Sequence, residues 1–203
     1  EQNLQQVTLD YDFYIARYPV TNAEYARFIF KNTEIDYEPE FWNEDDYFHP
    51  LQPVVGVSWY NAMAYCQWLG QELNLDVRLP TSLEYERAAR HNNRRTFPWG
   101  NVITPEHANF SETQIGRPSH IGCFPLGNAV CGASDLIGNV HEWLSTRISN
   151  IKSSEESLDT DEPMFLANGS FQSDVKGWKI FWDNPTSRLD RDYGFRCCYA
   201  VKK

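Results

Sequence analysis

The stretch Asp135-Leu-Ile-Gly-Asn-Val-His-Glu-Trp143 concentrates more chemistry than any other part of the chain: two carboxylates, a turn-forming Gly-Asn pair, an imidazole and an indole. If the backbone runs extended around a bend at Gly138, the carbonyls of Gly138 and Val140, two residues apart, point the same way beside the carboxylates of Asp135 and Glu142. Four oxygens then converge. Calcium takes about six to eight oxygen ligands drawn from carboxylate, carbonyl and water, so the segment could supply over half of a coordination shell. Against this, an Asp and a Glu at such a separation are common and the spacing is not that of an EF-hand loop. A solvated turn with two unrelated acids explains the same letters.

Other reactive residues are more scattered. His49, His91, His107, His120 and His141 form no HxH or HExxH pair, and a lone His such as His141 is more often structural than a base or a ligand. A Ser-His-Asp set could be gathered by folding, but no nucleophile elbow is present. Cys66, Cys123, Cys131, Cys197 and Cys198 are an odd number without a C-x-x-C pair. Neither a zinc site nor a full disulfide framework reads out, which points to a reducing compartment, the cytoplasm.

The elements that must hold these residues follow from pattern. Val7, Leu9, Tyr11, Phe13 and Ile15 alternate and predict a strand closed by Pro19. Thr21 and Glu24 form a capping box that opens a helix through Tyr25, Phe28 and Ile29. Residues 32–50, rich in acids and aromatics without a period, predict an ordered surface loop. Ser58 caps a second helix with Trp59, Ala62, Met63, Cys66 and Leu69 on one face, ending near Leu73. A second capping box, Thr81 with Glu84, opens a third helix through Tyr85, Ala88 and Ala89 to about Arg90. Beyond Phe97-Pro-Trp-Gly100 the pattern turns to short strands and loops. Helices early and strands late predict an α+β domain.

With 203 residues, 41% hydrophobic and 23% charged, the chain reads as one domain over residues 1–203. A formal charge of −10 argues against nucleic acid as a partner. No run approaches the ~20 apolar residues of a membrane span, so no membrane insertion is expected. The start, Glu-Gln-Asn-Leu-Gln-Gln, has neither an initiating Met nor signal-peptide character, which suggests a piece excised from a longer protein.

Six motifs in order resemble a known family: Tyr18-Pro-Val-Thr-Asn22; Val57-Ser-Trp59 with Ala64-Tyr-Cys-Gln-Trp68; Arg78-Leu-Pro-Thr81 with Glu84 and Ala88-Ala-Arg90; Pro98-Trp-Gly100; Gly138-Asn-Val-His-Glu-Trp143; and Gly194-Phe-Arg196. This is the order of the formylglycine-generating enzyme, or sulfatase-modifying factor, family. The resemblance implies its variety of the C-type lectin fold, two main helices on small twisted antiparallel sheets with much irregular loop. It also implies structural calcium at Asp135, Gly138, Val140 and Glu142. A second family calcium site would use Asn109 and the carbonyl of Phe110, but the loop Ser111-Glu-Thr-Gln-Ile115 lacks the expected Asp.

The family's oxidase chemistry needs a cysteine pair, holding copper and exchanging with the substrate thiol, just after a Gly-Gly-Ser-aromatic strand. The matching segment, Asn168-Gly-Ser-Phe-Gln-Ser-Asp-Val-Lys-Gly177, contains no Cys. Thiolate is both the soft ligand Cu(I) selects and the nucleophile, so Ser or Asp cannot stand in for it. No copper and no enzyme activity are expected; Cys197 and Cys198 lie outside that pair and read as small core hydrophobes.

The segment 172–193 mixes rigid aromatics with short polar and charged residues, the composition of antibody loops. Its candidate ligand-binding residues are Gln172, Ser173, Asp174, Lys176, Trp178, Lys179, Phe181, Trp182, Asp183, Asn184, Thr186, Ser187, Asp190, Arg191, Asp192 and Tyr193. An ordinary buried strand through Trp178, Ile180 and Trp182 is the alternative. The frame of Gly-Ser-Phe, Pro185-Thr-Ser-Arg188 and Gly-Phe-Arg196 resembles the variable region of proteins diversified by retroelements, a non-catalytic branch of this fold. The expectation is a binding module for a protein or other macromolecule, with at least two of Trp178, Phe181, Trp182 and Tyr193 exposed. The alternatives are an enzyme or maturation factor of the same superfamily, acting on a peptide or thiol substrate, and a structural domain of a larger signalling protein.

Overall fold

Three helices begin at side-chain caps. In the computed structural model, which describes residues 7–93, 95–147, 163–167, 169–174, 181–184 and 186–201, with main chain alone at 147 and 181–184, Thr21 opens α1 (Asn22–Lys31). Its hydroxyl accepts from Glu24 N at 3.3 Å, and Glu24 Oε2 accepts from Thr21 N at 2.8 Å. Ser58 opens α2 (Trp59–Leu73) by accepting from Asn61 N at 3.1 Å, and left-handed Asn74 closes it. Thr81 and Glu84 repeat the box at α3 (Ser82–Arg90). Such caps each contribute roughly 1 kcal/mol. The resemblance implied two main helices; α3 is a third, because Tyr85, Ala88 and Ala89 give it an apolar face against Leu136, Leu144 and Ala167.

Strand β1 (Phe13–Ile15) is shorter than the alternation from Val7 predicts. Its ladder partner β7 (Cys198–Ala200) offers only Ala200, Tyr199 and Cys198, and β2 (Val77–Arg78) pairs on the other side of β7. Before β1 the alternation has no partner strand among the described residues: Val7 is 54% exposed, while Leu9 and Tyr11 are half-buried. The second sheet has the order β5 (Phe181–Asn184), β4 (Met164–Ala167), β3 (His141–Arg147), β6 (Tyr193–Gly194). The expectation of antiparallel sheets fails at one edge: β3 and β6 run parallel through His141 with Tyr193 and Glu142 with Gly194. Parallel neighbours need a long connection, and the chain between β3 and β6 supplies one.

The main core lies between α1, α2 and the second sheet. Tyr25, Phe28, Tyr65 and Phe195 interlock, with Tyr25 stacked on Tyr65 at 5.7 Å and Tyr65 edge-on to Phe195 at 5.3 Å. Such contacts add about 0.5–1.5 kcal/mol each beyond burial. Trp143, fully buried, donates its indole N–H to Val57 O at 2.9 Å, tying β3 to the segment before α2. Residues 32–50 form the expected irregular loop, tucked down by buried Tyr47. No helix among the described residues is long and apolar enough to cross a membrane.

Candidate functional site

The Asp135–Trp143 stretch is a tight coil rather than an extended chain with one bend. Asp135, Gly138 and Asn139 all take left-handed conformations, with φ of 55°, 77° and 65°. A side chain at Gly138 would meet Asn109 O at 2.5 Å, so the coil can close only on glycine. Asn139 locks the closure: its N–H donates to Asn109 O at 2.7 Å and its side-chain oxygen accepts from Ser119 N at 2.8 Å.

Glu142 is fully buried and both its oxygens are taken by Arg196, Nε to Oε2 at 2.6 Å and Nη2 to Oε1 at 2.7 Å. Burial works against both charges: it raises the Glu142 carboxyl despite Arg196, whereas at Arg196 the carboxylate outweighs it and the guanidinium stays protonated; the bidentate geometry favours the charged pair. Asp135 is differently placed. Burial pushes its carboxyl up to about 6, although Gly122 N–H, 3.2 Å from Oδ2, and the charge of Arg196 pull it down. A buried carboxylate with so little compensation suits a hard cation. Among the described residues no three His, Cys, Asp or Glu side chains converge, so such a cation at Asp135 would draw on the carbonyls of Gly138 and Val140. Glu142 could join only by sharing oxygens with Arg196. At the second calcium position implied by the resemblance, Asn109 is fully buried and its Oδ1 has no hydrogen-bond partner, as a donor to a cation would. The Phe110 carbonyl there already accepts from Thr113 N at 2.9 Å.

Of the candidate ligand-binding residues, Lys176, Trp178 and Lys179 lie outside the described residues, and so do the side chains of Phe181, Trp182, Asp183 and Asn184. Gln172, Asp174, Ser187 and Arg191 are exposed, and Ser173 and Asp190 half-buried. Thr186, Asp192 and Tyr193 are buried, Tyr193 at 7% exposure: Thr186 is held against the start of α2, and Asp192 and Tyr193 enter the core motif Gly194-Phe-Arg196. Of the four aromatics of which at least two were expected exposed, Tyr193 is buried and the side chains of the other three lie outside the described residues. Tyr193 stands edge-on to Trp143 at 5.5 Å, and Asp192 accepts from Ser170 Oγ at 2.6 Å. For Asp192 and Tyr193, adjacency to that motif was the available signal.

Two of the exposed residues, Gln172 and Arg191, border an open groove of about 430 Å³ that Tyr47, Ser111, Gln114, Gly116 and Phe171 also line. The Arg191 guanidinium lies over the rings of Phe41 at 4.9 Å and Tyr47 at 5.8 Å. Sequence reasoning named Gln172 and Arg191 but missed Tyr47, Ser111 and Gln114, which distant loops bring in. The tie between them is Ser111 N donating to Ser173 O at 3.0 Å. A larger open groove of about 810 Å³ beside α2 contains none of the candidate residues.

Ser170, Asp192 and His141 do meet, but with the carboxylate in the middle: Ser170 donates to Asp192, whose same oxygen lies 3.9 Å from His141 Nε2. A nucleophile needs its base as immediate partner, so this is not triad order. The thiols are free. The hydrogen bond to Cys197, Sγ to Sγ at 3.7 Å, together with burial, pushes the Cys66 thiol up, and burial and Glu84 do the same to Cys198.

Residues 1–201 match the sulfatase-modifying factor enzyme 1-like domain, and the chain belongs to that family. Hercynine oxygenase of Mycolicibacterium thermoresistibile is 33% identical over 165 residues, 66% of this chain and 35% of that protein. The inactive C-alpha-formylglycine-generating enzyme 2 of Bos taurus is 33% identical over 156 residues, 71% of this chain and 49% of that protein. The chain thus spans between about a third and a half of these relatives' lengths. Among solved structures, PvdO from Pseudomonas aeruginosa aligns with a TM-score of 0.76 at 21% identity, over 93% of this chain and 80% of that one. Treponema denticola variable protein 1 aligns with a TM-score of 0.73 at 18% identity, over 93% and 84%. At such identities the likeness speaks for the fold, which is the C-type lectin fold of the formylglycine-generating type.

Proposed function

We propose that this chain is a non-catalytic ligand-binding module, a variable protein of the diversity-generating retroelement kind, that recognises a protein or other macromolecule through residues 172–193. The observation that carries this reading is how the scaffold holds residues 186–193. Trp59 N donates to Thr186 O at 3.1 Å, Gly56 N to Asp190 O at 3.0 Å, and His141 N to Asp192 O at 2.7 Å. These three bonds use main chain alone and tolerate any side chain at the positions between, while the ends are also held by side chains, Thr186 Oγ1 donating to Tyr60 Oη at 3.2 Å and Asp192 accepting from Ser170. Ser187, Arg188, Leu189 and Arg191 are exposed on that frame. A face ordered before binding need not lose that entropy on binding.

Two further facts support the reading. The segment from Asn168 to Gly177 lacks the cysteine pair that copper and thiol exchange require. One relative carries the name of an inactive enzyme, and one fold neighbour that of a variable protein. Calcium at Asp135 and the carbonyls of Gly138 and Val140 would stiffen the coil under β3. The likeness to hercynine oxygenase favours a second reading, an oxidoreductase or maturation factor acting on a peptide or thiol substrate.

Sequencing the same locus in sister isolates tests the first reading. Differences should crowd into the window 172–193, with exposed Gln172, Asp174, Leu189 and Arg191 among them, and spare buried Asp192 and Tyr193. Differences spread evenly along the chain, or oxygen consumption with a cysteine-containing peptide, would overturn it.

A further inference from the structure

We infer that the groove between Gln172 and Arg191 is a carboxylate subsite, which engages an acidic side chain of a protein ligand through the Arg191 guanidinium. The inference rests on the ligand-binding reading above and names the chemistry of that face. Arg191 is the one charged residue lining the groove among the described residues, in a chain whose formal charge is −10. Tyr47, Ser111, Gln114, Phe171 and Gln172 complete the lining with hydroxyls, amides and rings.

The neighbouring carboxylate of Asp190 is already committed. Asp190 Oδ1 accepts from the Arg191 main-chain N at 2.9 Å, and Oδ2 pairs with Arg188 Nη2 at 3.2 Å. The Arg191 guanidinium instead lies over Phe41 and Tyr47, whose π faces hold a cation in place without neutralising it. Stacking leaves the edge of the fork, with its parallel N–H donors, for a planar anion.

Charge and size decide between anions. A carboxylate carries a single negative charge, which one guanidinium matches. A phosphate monoester carries about −1.5 to −2 and calls for more than one cation. A groove of about 430 Å³ is at the small end of ligand pockets, which run roughly 300–1,000 Å³. It admits a side chain and its flanking backbone. Exposed Gln172 also lines the groove and would offer an amide donor beside the guanidinium.

The test uses the full chain and small probes, read from the ¹⁵N–¹H signal of Arg191 Nε. N-acetyl-L-glutamate amide should shift that signal saturably, and N-acetyl-L-glutamine amide, its uncharged counterpart, should not. R191Q should weaken probe binding, followed at the Gln172 amide signal, by about tenfold or more, as expected for loss of a charge-assisted bond. R191K, which keeps the charge without the fork, should fall between. An equal response to the glutamine probe, or undiminished glutamate binding by R191Q, would overturn the subsite. Stronger binding of inorganic phosphate than of the glutamate probe would overturn the carboxylate assignment. If the locus proves invariant while the glutamate probe binds through Arg191, the retroelement reading fails and the subsite stands. A varying locus with no probe response gives the reverse.

Discussion

Arg196 grips Glu142 through two parallel N–H···O bonds, 2.6 Å and 2.7 Å long, at a point where neither side chain touches water. The pair joins the Gly-Phe-Arg segment to β3, and its remaining donors serve the carbonyls of Ala16, Arg17 and Ser134. One buried contact thus fastens the N-terminal strand region, the Asp135 coil and the last core segment.

Removing one partner should therefore cost more than removing both. R196M leaves an uncompensated buried carboxylate and orphaned carbonyls, and should lower stability by about 3–5 kcal/mol in urea denaturation. The double variant R196M/E142L deletes the charge along with its partner and should regain at least ~1 kcal/mol of that loss. A single variant that loses less than ~1 kcal/mol would show that the pair is not what fastens these segments.

Asp135 makes a pH prediction of opposite sign to the usual carboxylate. Its carboxyl is pushed up to about 6 from an ordinary 3.8, chiefly by burial. Between about pH 4 and pH 6 the folded state then holds more protons than the unfolded chain, so stability falls as pH rises through that window, by about 3 kcal/mol in all. Asp192 and Glu142 are raised by burial too, so the informative curve is the difference between the native chain and D135N, which should carry this slope. Burial raises Glu84 as well, but Arg78 and Thr81 overcome it and bring the net to about 2. Its contribution is lost as pH falls from about 4.5 through about 2, mostly below the window. Calcium favours the ionised carboxylate, so it should raise the melting temperature more at pH 7 than at pH 4.5, and D135N should abolish the gain. A melting temperature unmoved by calcium at pH 7 would remove Asp135 from any metal site.

The helices were legible because each cap is a local code: Thr21 with Glu24, Ser58 with Asn61 and Thr81 with Glu84 act within one turn. The parallel pairing of β3 with β6 was not, since register between distant strands is set by packing that no short window contains. The same divide runs through the site. Gly138 and Asn139 announced a turn, but nothing local told that Glu142 would face Arg196 rather than an open loop. Arg191 could be named as polar and exposed, whereas Phe41 and Tyr47 beneath it come from a loop with no period to read.

Burial also predicts which thiols react. Cys123 and Cys131 are exposed, while Cys66, Cys197 and Cys198 are buried, with Cys66 and Cys198 pushed towards the unreactive protonated form. Iodoacetamide at pH 8 should label the first two in the native chain and reach the other three only after unfolding, as peptide mapping would show. Labelling of Cys197 or Cys198 as fast as Cys123 would mean that a thiol-exchange role has to be reconsidered.

The division of residues 186–193 into frame and face predicts a stability pattern along one short stretch. Ser187 and Leu189 are exposed between the main-chain fastenings, and S187A or L189A should change stability by no more than about 0.5 kcal/mol. Tyr193 packs against Trp143 and His141 at 7% exposure, and Y193A should cost about 3–5 kcal/mol, as large-to-small core changes do. D192A should also destabilise, by about 1–3 kcal/mol, because it strands the buried hydroxyl of Ser170. Urea midpoints of the four variants at a common pH decide the matter. Equal losses at Leu189 and Tyr193 would mean that the stretch is uniformly structural, leaving no freely replaceable surface for a ligand to select.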